Sequence, residues 1–195
     1  MLKLNRIRWT PWIIPLVFFL VVQIIAVIYA PDRYNVIRDQ ISWLGEEGLT
    51  YSWMMNVGWI GFGVLVLLVV GWFKQKEEIL SSLLLPMMVL GIALILMGLW
   101  NVDSADMITM FHFYALFIAQ GSVVLAALLH VFLVKVEKLR LFNLCFAIAM
   151  LIPALFSLLI PSIAGFTERL FWLVLAIWLI TIYGRIDFHH DKHWF

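Results

Sequence analysis

The chain has 195 residues, of which 65% are hydrophobic and only 13% are charged, and its formal net charge is +1. Ordinary soluble domains carry about 25% charged residues, so this composition argues against a soluble protein and predicts one that resides in a lipid bilayer. The small net charge gives no support for nucleic-acid binding, and a single cysteine excludes a disulfide framework.

Six apolar runs follow one another along the chain. Each approaches the roughly 20 residues that a helix needs to cross the hydrocarbon core, and Asp, Glu, Lys and Arg occur only at their ends. The predicted helices cover about 12–30, 51–73, 79–100, 108–134, 141–160 and 170–186. We therefore predict an all-α bundle of six transmembrane helices that forms a single integral membrane domain over residues 1–195. Small residues in its second and third helices are predicted to allow close packing between helices, namely Gly58, Gly61, Gly63, Gly91 and Gly98.

Lysine and arginine are distributed unevenly between the two sides of this predicted bundle. The side that holds both chain ends carries ten of them, whereas the other side carries only three, namely Arg33, Arg38 and Arg169. Because cytoplasmic segments are enriched in lysine and arginine, we predict that both termini are cytoplasmic and that the side with three arginines is external.

The first external loop, 31–50, is the longest break and is rich in polar residues. Asn35 is suited to begin a helix and Gly45 to end one. Apolar residues recur between them at helical spacing, at Ile37, Ile41 and Leu44. This pattern predicts a short helix along the outer membrane interface.

Three polar residues of this predicted helix are candidates for function. Arg38 and Ser42 are four residues apart and would share one face, with Asp39 about 100° around the helix. An interfacial helix whose charges are simply solvated is the alternative interpretation.

The break before the fourth helix contains Asp103 and Asp106 and no cation, and His112 follows in the second turn of that helix. Two carboxylates and an imidazole are thus predicted at one membrane depth, where ionisable groups usually face a cavity or a partner. Two structural alternatives stay open. Asp106 is well placed to cap the start of the helix, and a neutral His112 can form a hydrogen bond inside the bundle.

Other polar residues extend this pattern. Gln120 and His130 return to the His112 face of the fourth helix, where they can serve as a relay or as interhelical packing contacts. Glu168 and Arg169 are predicted directly before the sixth helix. A phosphate-binding arginine and a surface ion pair are indistinguishable there from sequence.

Residues 38–45, Arg-Asp-Gln-Ile-Ser-Trp-Leu-Gly, precede a glycine-rich second helix, an aspartate-containing break, an early histidine in the fourth helix and a Glu-Arg pair. This arrangement resembles the domain-of-unknown-function 998 family of prokaryotic membrane proteins, although Trp43 stands where the family pattern has an acidic residue. A more distant resemblance is to six-helix proteins of the Frag/DRAM/Sfk type, which act around lipids. The resemblance implies about six helices in a prokaryotic cell membrane and no established activity.

The favoured hypothesis is a non-catalytic protein that binds or handles a lipid or another amphiphile through an external polar pocket, with membrane lipids as its partners. In this hypothesis, two arginines bind an anionic headgroup, and hydrogen bonds from four other residues orient the headgroup. The two arginines are Arg38 and Arg169, and the orienting residues are Asp39, Asp103, His112 and Glu168.

One alternative is an outer-leaflet hydrolase or transferase. There His112 is the general base, Asp103 or Asp106 orients it, and Ser42 is the nucleophile. We rank it second because a serine on an interfacial helix has no activating group that the sequence reveals.

A second alternative is a small-solute or proton-coupled transporter, which would need an acidic group near the midplane; the sequence predicts none there. No cofactor and no metal site is predicted either, because zinc needs three or four ligands at one level and His112 is the only external histidine.

Overall fold

The computed structural model describes residues 11–75, 81–100 and 107–185. Its six α-helices are α1 (Ile13–Ile28), α2 (Ser52–Gln75), α3 (Ser81–Leu99), α4 (Met107–Leu133), α5 (Glu137–Leu159) and α6 (Ala164–Arg185). Short 3-10 helices lie at Ile41–Gly45 and at Pro161–Ile163. These ranges contain no β-strand, so the prediction of an all-helical fold is confirmed.

Within the described residues, four segments are long and apolar enough to cross a membrane, namely Ser52–Gln75, Thr109–Leu133, Glu137–Leu159 and Pro161–Ile182. Ile13–Ile28 and Leu83–Leu99 are apolar but shorter. Large apolar side chains cover the outside of the bundle, including Leu68 and Leu159 with exposed fractions of 63% and 72%. Such surfaces are rare on soluble monomers, and together with the four long helices they indicate an integral membrane protein.

Successive helices pack against each other, and small residues make the closest contacts. A Cβ built on Gly63 of α2 would lie 2.5 Å from the backbone oxygen of Gly91 in α3, so the two backbones touch there. Gly58 makes a similar approach to Val22 of α1. Lipid provides no hydrophobic force between helices, so close packing of this kind stabilises the bundle, as predicted for these glycines.

An aromatic cluster joins the last helix to the first two. The ring centroid of Trp172 in α6 lies 5.5 Å from that of Trp59 and 6.0 Å from that of Phe62. Phe19 of α1 lies 4.4 Å from both of these α2 rings, and all four side chains are buried. This packing brings α6 against α1 and α2, at whose shared end the connecting segment 31–51, called the cap below, contacts α6.

Two helix starts differ from their predicted positions. α6 begins at Ala164 rather than near residue 170, because Pro161 opens a 3-10 turn that leads directly into the helix. Glu168 and Arg169 therefore lie inside α6 and not in the break before it. α5 begins at Glu137 rather than near 141. In both cases the helix extends beyond its apolar run, since hydropathy predicts the lipid-facing part of a helix and not its ends.

The predicted single helix in the cap is wrong, because the cap forms a turn followed by a separate 3-10 helix. Asn35 Oδ1 accepts the backbone N–H groups two and three residues later, at 2.9 and 3.2 Å, so Asn35 does cap a turn. Gln40 is extended, with φ −62° and ψ 154°, and the 3-10 helix Ile41–Gly45 follows it. Consequently Arg38 and Ser42 do not share a face, since Arg38 is exposed and Ser42 is fully buried.

Candidate functional site

Arg169, in the second turn of α6, holds the cap through hydrogen bonds. Its Nη1 donates to the backbone oxygens of Val36 at 2.8 Å and Asp39 at 3.2 Å, and to that of Gly165 in its own helix at 2.8 Å. Its Nη2 donates to the hydroxyl of Tyr34. The bonds to the cap connect residues at least 130 positions apart, and together with the bond to Gly165 they use most of the hydrogen-bonding capacity of the guanidinium.

Glu168, the preceding residue, caps the 3-10 helix of the cap. Its Oε2 accepts the backbone N–H of Ile41 at 2.7 Å. The first N–H groups of a helix have no partner within it, and Gln40, the N-cap residue, makes no side-chain capping bond. Glu168 is fully buried, and its Oε1 has no hydrogen-bond partner among the described residues. The carboxyl group thus performs, from a distant helix, the capping that a neighbouring Asp or Ser normally performs.

The first turn of α6 binds the cap backbone directly. The N–H of Gly165 donates to the oxygen of Arg38 at 3.0 Å, and that of Phe166 donates to the oxygen of Ile37 at 2.8 Å. A Cβ at residue 165 would clash with the backbone oxygen of Asp39. Only glycine permits this approach, so Gly165 belongs to the site although its sequence context gave no reason to select it.

Arg38 and Asp39 form an ion pair on the cap. Arg38 Nε lies 2.6 Å from Asp39 Oδ1, and Nη2 donates to Oδ2 at 3.0 Å. The backbone N–H of Asn35 also donates to Oδ2, at 2.8 Å. The Arg38 hydrogen bond is the main reason why the pKa of Asp39 lies below its ordinary value, and it outweighs the opposing effect of burial. Arg38 remains 58% exposed, whereas the Asp39 side chain is only 3% exposed.

Tyr34 is a second contributor that the sequence analysis missed. Its hydroxyl accepts from Arg169 and lies 3.2 Å from the backbone oxygen of Gln40, to which it can donate. Burial raises the pKa of this phenol, and the adjacent guanidinium offsets only part of the increase. The hydroxyl therefore keeps the proton that it donates. In the sequence, Tyr34 is noticeable only as a tyrosine in an otherwise polar loop. That position does not identify Arg169 as its hydrogen-bond partner.

His112 packs against the end of α3. Its Nδ1 is 2.8 Å from the backbone oxygen of Trp100 and 3.0 Å from that of Met97. Because carbonyl oxygens only accept hydrogen bonds, Nδ1 carries the proton and Nε2 is the acceptor. Within the described ranges, Nε2 and the hydroxyl of Ser42 are both buried without a hydrogen-bond partner. Thus no hydrogen bond joins Ser42 to His112.

The predicted site residues are therefore divided. Asp103 and Asp106 lie outside the described residues. No group of three or more His, Cys, Asp or Glu in the part of the chain that the structure describes is placed to hold a metal ion. Four predicted residues do meet where the cap joins α6: Arg38, Asp39, Glu168 and Arg169.

A second buried polar cluster lies between α4, α5 and α6. Trp178 Nε1 donates to Asn143 Oδ1 at 2.9 Å, and Asn143 Nδ2 donates to the backbone oxygen of Leu139 at 2.8 Å. The ring of His130 lies 6.1 Å from that of Trp178, and neither of its nitrogens has a hydrogen-bond partner in the described segments. Gln120 is buried on the same helix, so the polar residues of α4 point inward as predicted.

The surface of the described residues includes two open grooves. The cap groove, about 210 Å³, lies where α1 ends and α2 begins, and its walls include Ala26, Tyr29, Leu44, Gly48, Thr50 and Tyr51. The α3–α4 groove, about 330 Å³, is apolar, with walls that include Ile92, Ala93, Trp100, Phe111 and Ala115. Gly48 has φ +90°, a conformation that favours glycine, so the turn that forms one wall of the cap groove depends on it.

A family model described as "Protein of unknown function (DUF998)" matches residues 13–184. No curated protein matches, and no solved structure matches. The matched range begins at α1 and reaches into the end of α6, so it contains the cap, both grooves and all the described contacts of the site.

Proposed function

The chain belongs to the DUF998 family, since the matching range covers nearly all of it, and we propose that its cap binds or handles a lipid or another amphiphile at the external face of the membrane. Membership confirms the resemblance inferred from residues 38–45. In this proposal all six helices cross the membrane and both termini are cytoplasmic.

The charge pattern and the aromatic residues support this orientation. The order of the helices in the sequence predicts ten of the thirteen lysines and arginines on the side away from the cap, as expected for the cytoplasmic side. Tyr29, Trp43, Tyr51 and Trp53 are each between 43% and 58% exposed at the cap end. Exposed tyrosine and tryptophan are typical of the boundary between lipid and water.

The cap groove is the observation that carries the proposal. Ala26 and Leu44 give its walls apolar surface, and Thr50 and Ser52 provide hydroxyl groups near the start of α2. An amphiphile needs both kinds of surface, one for its tail and one for its headgroup. Because about 210 Å³ is less than the roughly 300–1,000 Å³ of complete small-molecule sites, the groove would take one end of the ligand while the rest lies along α1 in the bilayer.

The residues at the junction with α6 have a positioning role in this proposal. Glu168 fixes the start of the 3-10 helix that contributes Leu44 to the groove. Arg169 fixes the preceding turn. A site whose walls are fixed before binding loses less conformational entropy when the ligand enters. We therefore expect changes at these two residues to weaken ligand binding through the shape of the cap.

Lipid retention tests the proposal. Thr50→Trp places an indole in the cap groove, and Ile92→Trp places one in the α3–α4 groove as a matched control. Both full-length variants and the wild type are purified in a mild neutral detergent, and retained lipids are measured by mass spectrometry. We expect a specific lipid to be retained by the wild type and by Ile92→Trp and to be lost from Thr50→Trp. The same retained lipids in all three proteins would contradict the proposal.

A carrier is a second candidate, because Glu168 supplies an acidic group inside the bundle that the sequence analysis had placed outside it. Its carboxyl group is fully buried, and one of its two oxygens, Oε1, has no hydrogen-bond partner among the described residues. Ionisable groups inside membranes often take part in transport. If this candidate holds, proton flux into proteoliposomes falls in Glu168→Gln but not in Glu137→Gln, which removes a charge at the start of α5. Equal proton flux in protein-free vesicles and in vesicles that contain the protein would eliminate the carrier candidate.

The hydrolase hypothesis receives no comparable support, since Ser42 has no base within hydrogen-bonding distance among the described residues. Turnover of phospholipid, lysolipid or ceramide by the wild type and by His112→Ala tests it directly. Equal activity in the two proteins would remove His112 from any catalytic role.

A further inference from the structure

Two tyrosines form the outer part of the cap groove. The ring centroids of Tyr29 and Tyr51 lie 4.9 Å apart, with their planes tilted by 45°. Their side chains are 52% and 44% exposed and both line the groove, so part of each ring remains open to a ligand. Aromatic faces carry partial negative charge and attract ammonium groups.

Two glutamates, Glu46 and Glu47, directly precede the residues of the adjoining wall in the sequence. This wall contains Gly48 and Leu49, in a turn closed by a hydrogen bond from the N–H of Leu49 to the backbone oxygen of Glu46 at 3.3 Å. Glu46 is paired with Arg33 at 3.6 Å. Glu47, the next residue, is exposed and makes no ion pair with another described residue. Negative charge is therefore available beside the groove.

The arginines at this end are already engaged. Among the described residues, five carboxylates accompany three arginines at the cap end, the carboxylates being Asp32, Asp39, Glu46, Glu47 and Glu168. Arg33 pairs with Glu46, Arg38 pairs with Asp39, and Arg169 binds the cap backbone. The net charge of these eight groups is negative, and a ligand that complements it carries positive charge.

We infer that the cap groove selects amphiphiles whose headgroup is a primary or quaternary ammonium. The ammonium lies against the rings of Tyr29 and Tyr51 within the field of Glu47, and the alkyl chain runs past Ala26 along α1. This inference rests on the proposed function and specifies its ligand class. It also replaces the anionic headgroup expected from the sequence, because the arginines that were to bind it are occupied.

Three probes with the same dodecyl chain test the charge preference: dodecyltrimethylammonium, dodecyl phosphate and the neutral dodecylglycerol. Each is titrated into the full-length protein in neutral detergent, and bound probe is measured by native mass spectrometry. Two aromatic contacts and a nearby carboxylate predict about tenfold stronger binding of the ammonium probe than of the phosphate probe.

Matched variants assign this preference to the groove. Replacing both tyrosines with leucine removes the ring faces, and replacing both with phenylalanine keeps them. The leucine variant should lose most of the tenfold preference and the phenylalanine variant should retain it. Glu47→Gln should reduce the preference about threefold, whereas Glu137→Gln, an equal charge change at the start of α5, should not. A leucine variant that keeps the full preference would overturn the inference.

The Thr50→Trp variant, whose cap groove is blocked, distinguishes a failure of this inference from a failure of the proposed function. If all three probes bind equally, or the phosphate probe binds best, and Thr50→Trp abolishes binding, the groove binds amphiphiles and the ammonium preference is wrong. If Thr50→Trp changes the binding of no probe, both the inference and the proposed function are wrong.

Discussion

The two ends of α6 use polar side chains in different ways. Near its start, Glu168 and Arg169 bind the backbone of the cap, a segment about 130 residues earlier in the chain. Farther along, Trp178 binds the side chain of Asn143 on the neighbouring helix α5. The first arrangement determines the shape of a loop, whereas the second joins two helices that already pack together.

This difference predicts different consequences of mutation. Removing a side chain at the start of α6 takes hydrogen-bond partners away from backbone groups of the cap. Removing Asn143 leaves one indole N–H without its partner while the α5–α6 packing remains. The cap end should therefore be the more sensitive of the two.

Arg169→Met should produce the largest effect. It removes bonds to two cap backbone oxygens and to Tyr34, and hydrogen bonds to charged groups contribute about 1.5–3 kcal/mol each. We expect the free energy of unfolding to fall by about 3 kcal/mol and the cap to become sensitive to protease. Arg38→Met is the control: the Arg38 side chain is 58% exposed, so solvent screens its ion pair and the pair should contribute far less than the bonds of Arg169. Equal losses in the two variants would contradict this interpretation.

Gly165→Ala should have the next largest effect. The added methyl group collides with the backbone oxygen of Asp39, so the cap must move away from α6 or the helix must shift. Overpacking of this kind typically costs about 1–3 kcal/mol. Amide hydrogen exchange should accelerate in residues 36–41 and stay unchanged in α3 and α4. Gly121→Ala, whose Cβ would meet no atom within 4 Å, is the matched control and should leave exchange unchanged.

Asn143→Leu tests the other end of the comparison. The substitution breaks the bond from Trp178, and interhelical hydrogen bonds in membranes average about 0.6 kcal/mol, with a maximum near 1.7. The loss of unfolding free energy should lie in this range, and proteolysis of the cap should not change. A loss as large as that of Arg169→Met would remove the distinction between the two ends.

The smallest effect concerns the pH dependence of the Asp39 ion pair. The pKa of Asp39 is lowered in the folded protein from its ordinary value of 3.8. Its carboxylate therefore stabilises the fold fully above that value, and the stabilisation is lost as the pH falls through the lowered pKa. The stability difference between wild type and Asp39→Asn should be constant near neutral pH and should shrink on acidification below 3.8. A stability difference between wild type and Asp39→Asn that grows on acidification would contradict the prediction.

The sequence was sufficient to predict the helices and several of their contacts. Uniformly apolar runs predicted six helices, and Gly58, Gly63 and Gly91 were correctly identified as close-packing positions. Asn35 was correctly identified as a cap. These features depend on local composition or on neighbouring helices, which periodicity and propensity describe well.

The site was harder to predict because it depends on contacts between distant parts of the chain. A shared depth in the membrane predicts an approach of Ser42 to His112, and no hydrogen bond joins them among the described residues; depth alone does not specify which side chains are in contact. Tyr34 and Gly165 were overlooked because their roles come from one contact each, with Arg169 and with the cap backbone. No local pattern encodes a partner some 130 residues away.

The capping bond between Glu168 and Ile41 also has a consequence for biosynthesis, because its two partners are synthesised at different times. The segment that follows the first helix leaves the ribosome early, yet the carboxyl group that fixes it is synthesised about 127 residues later. A chain in which α6 has not yet been made therefore lacks the partner that caps the 3-10 helix Ile41–Gly45. The cap gains this bond only when α6 packs against it, so its contacts depend on the last helix of the bundle.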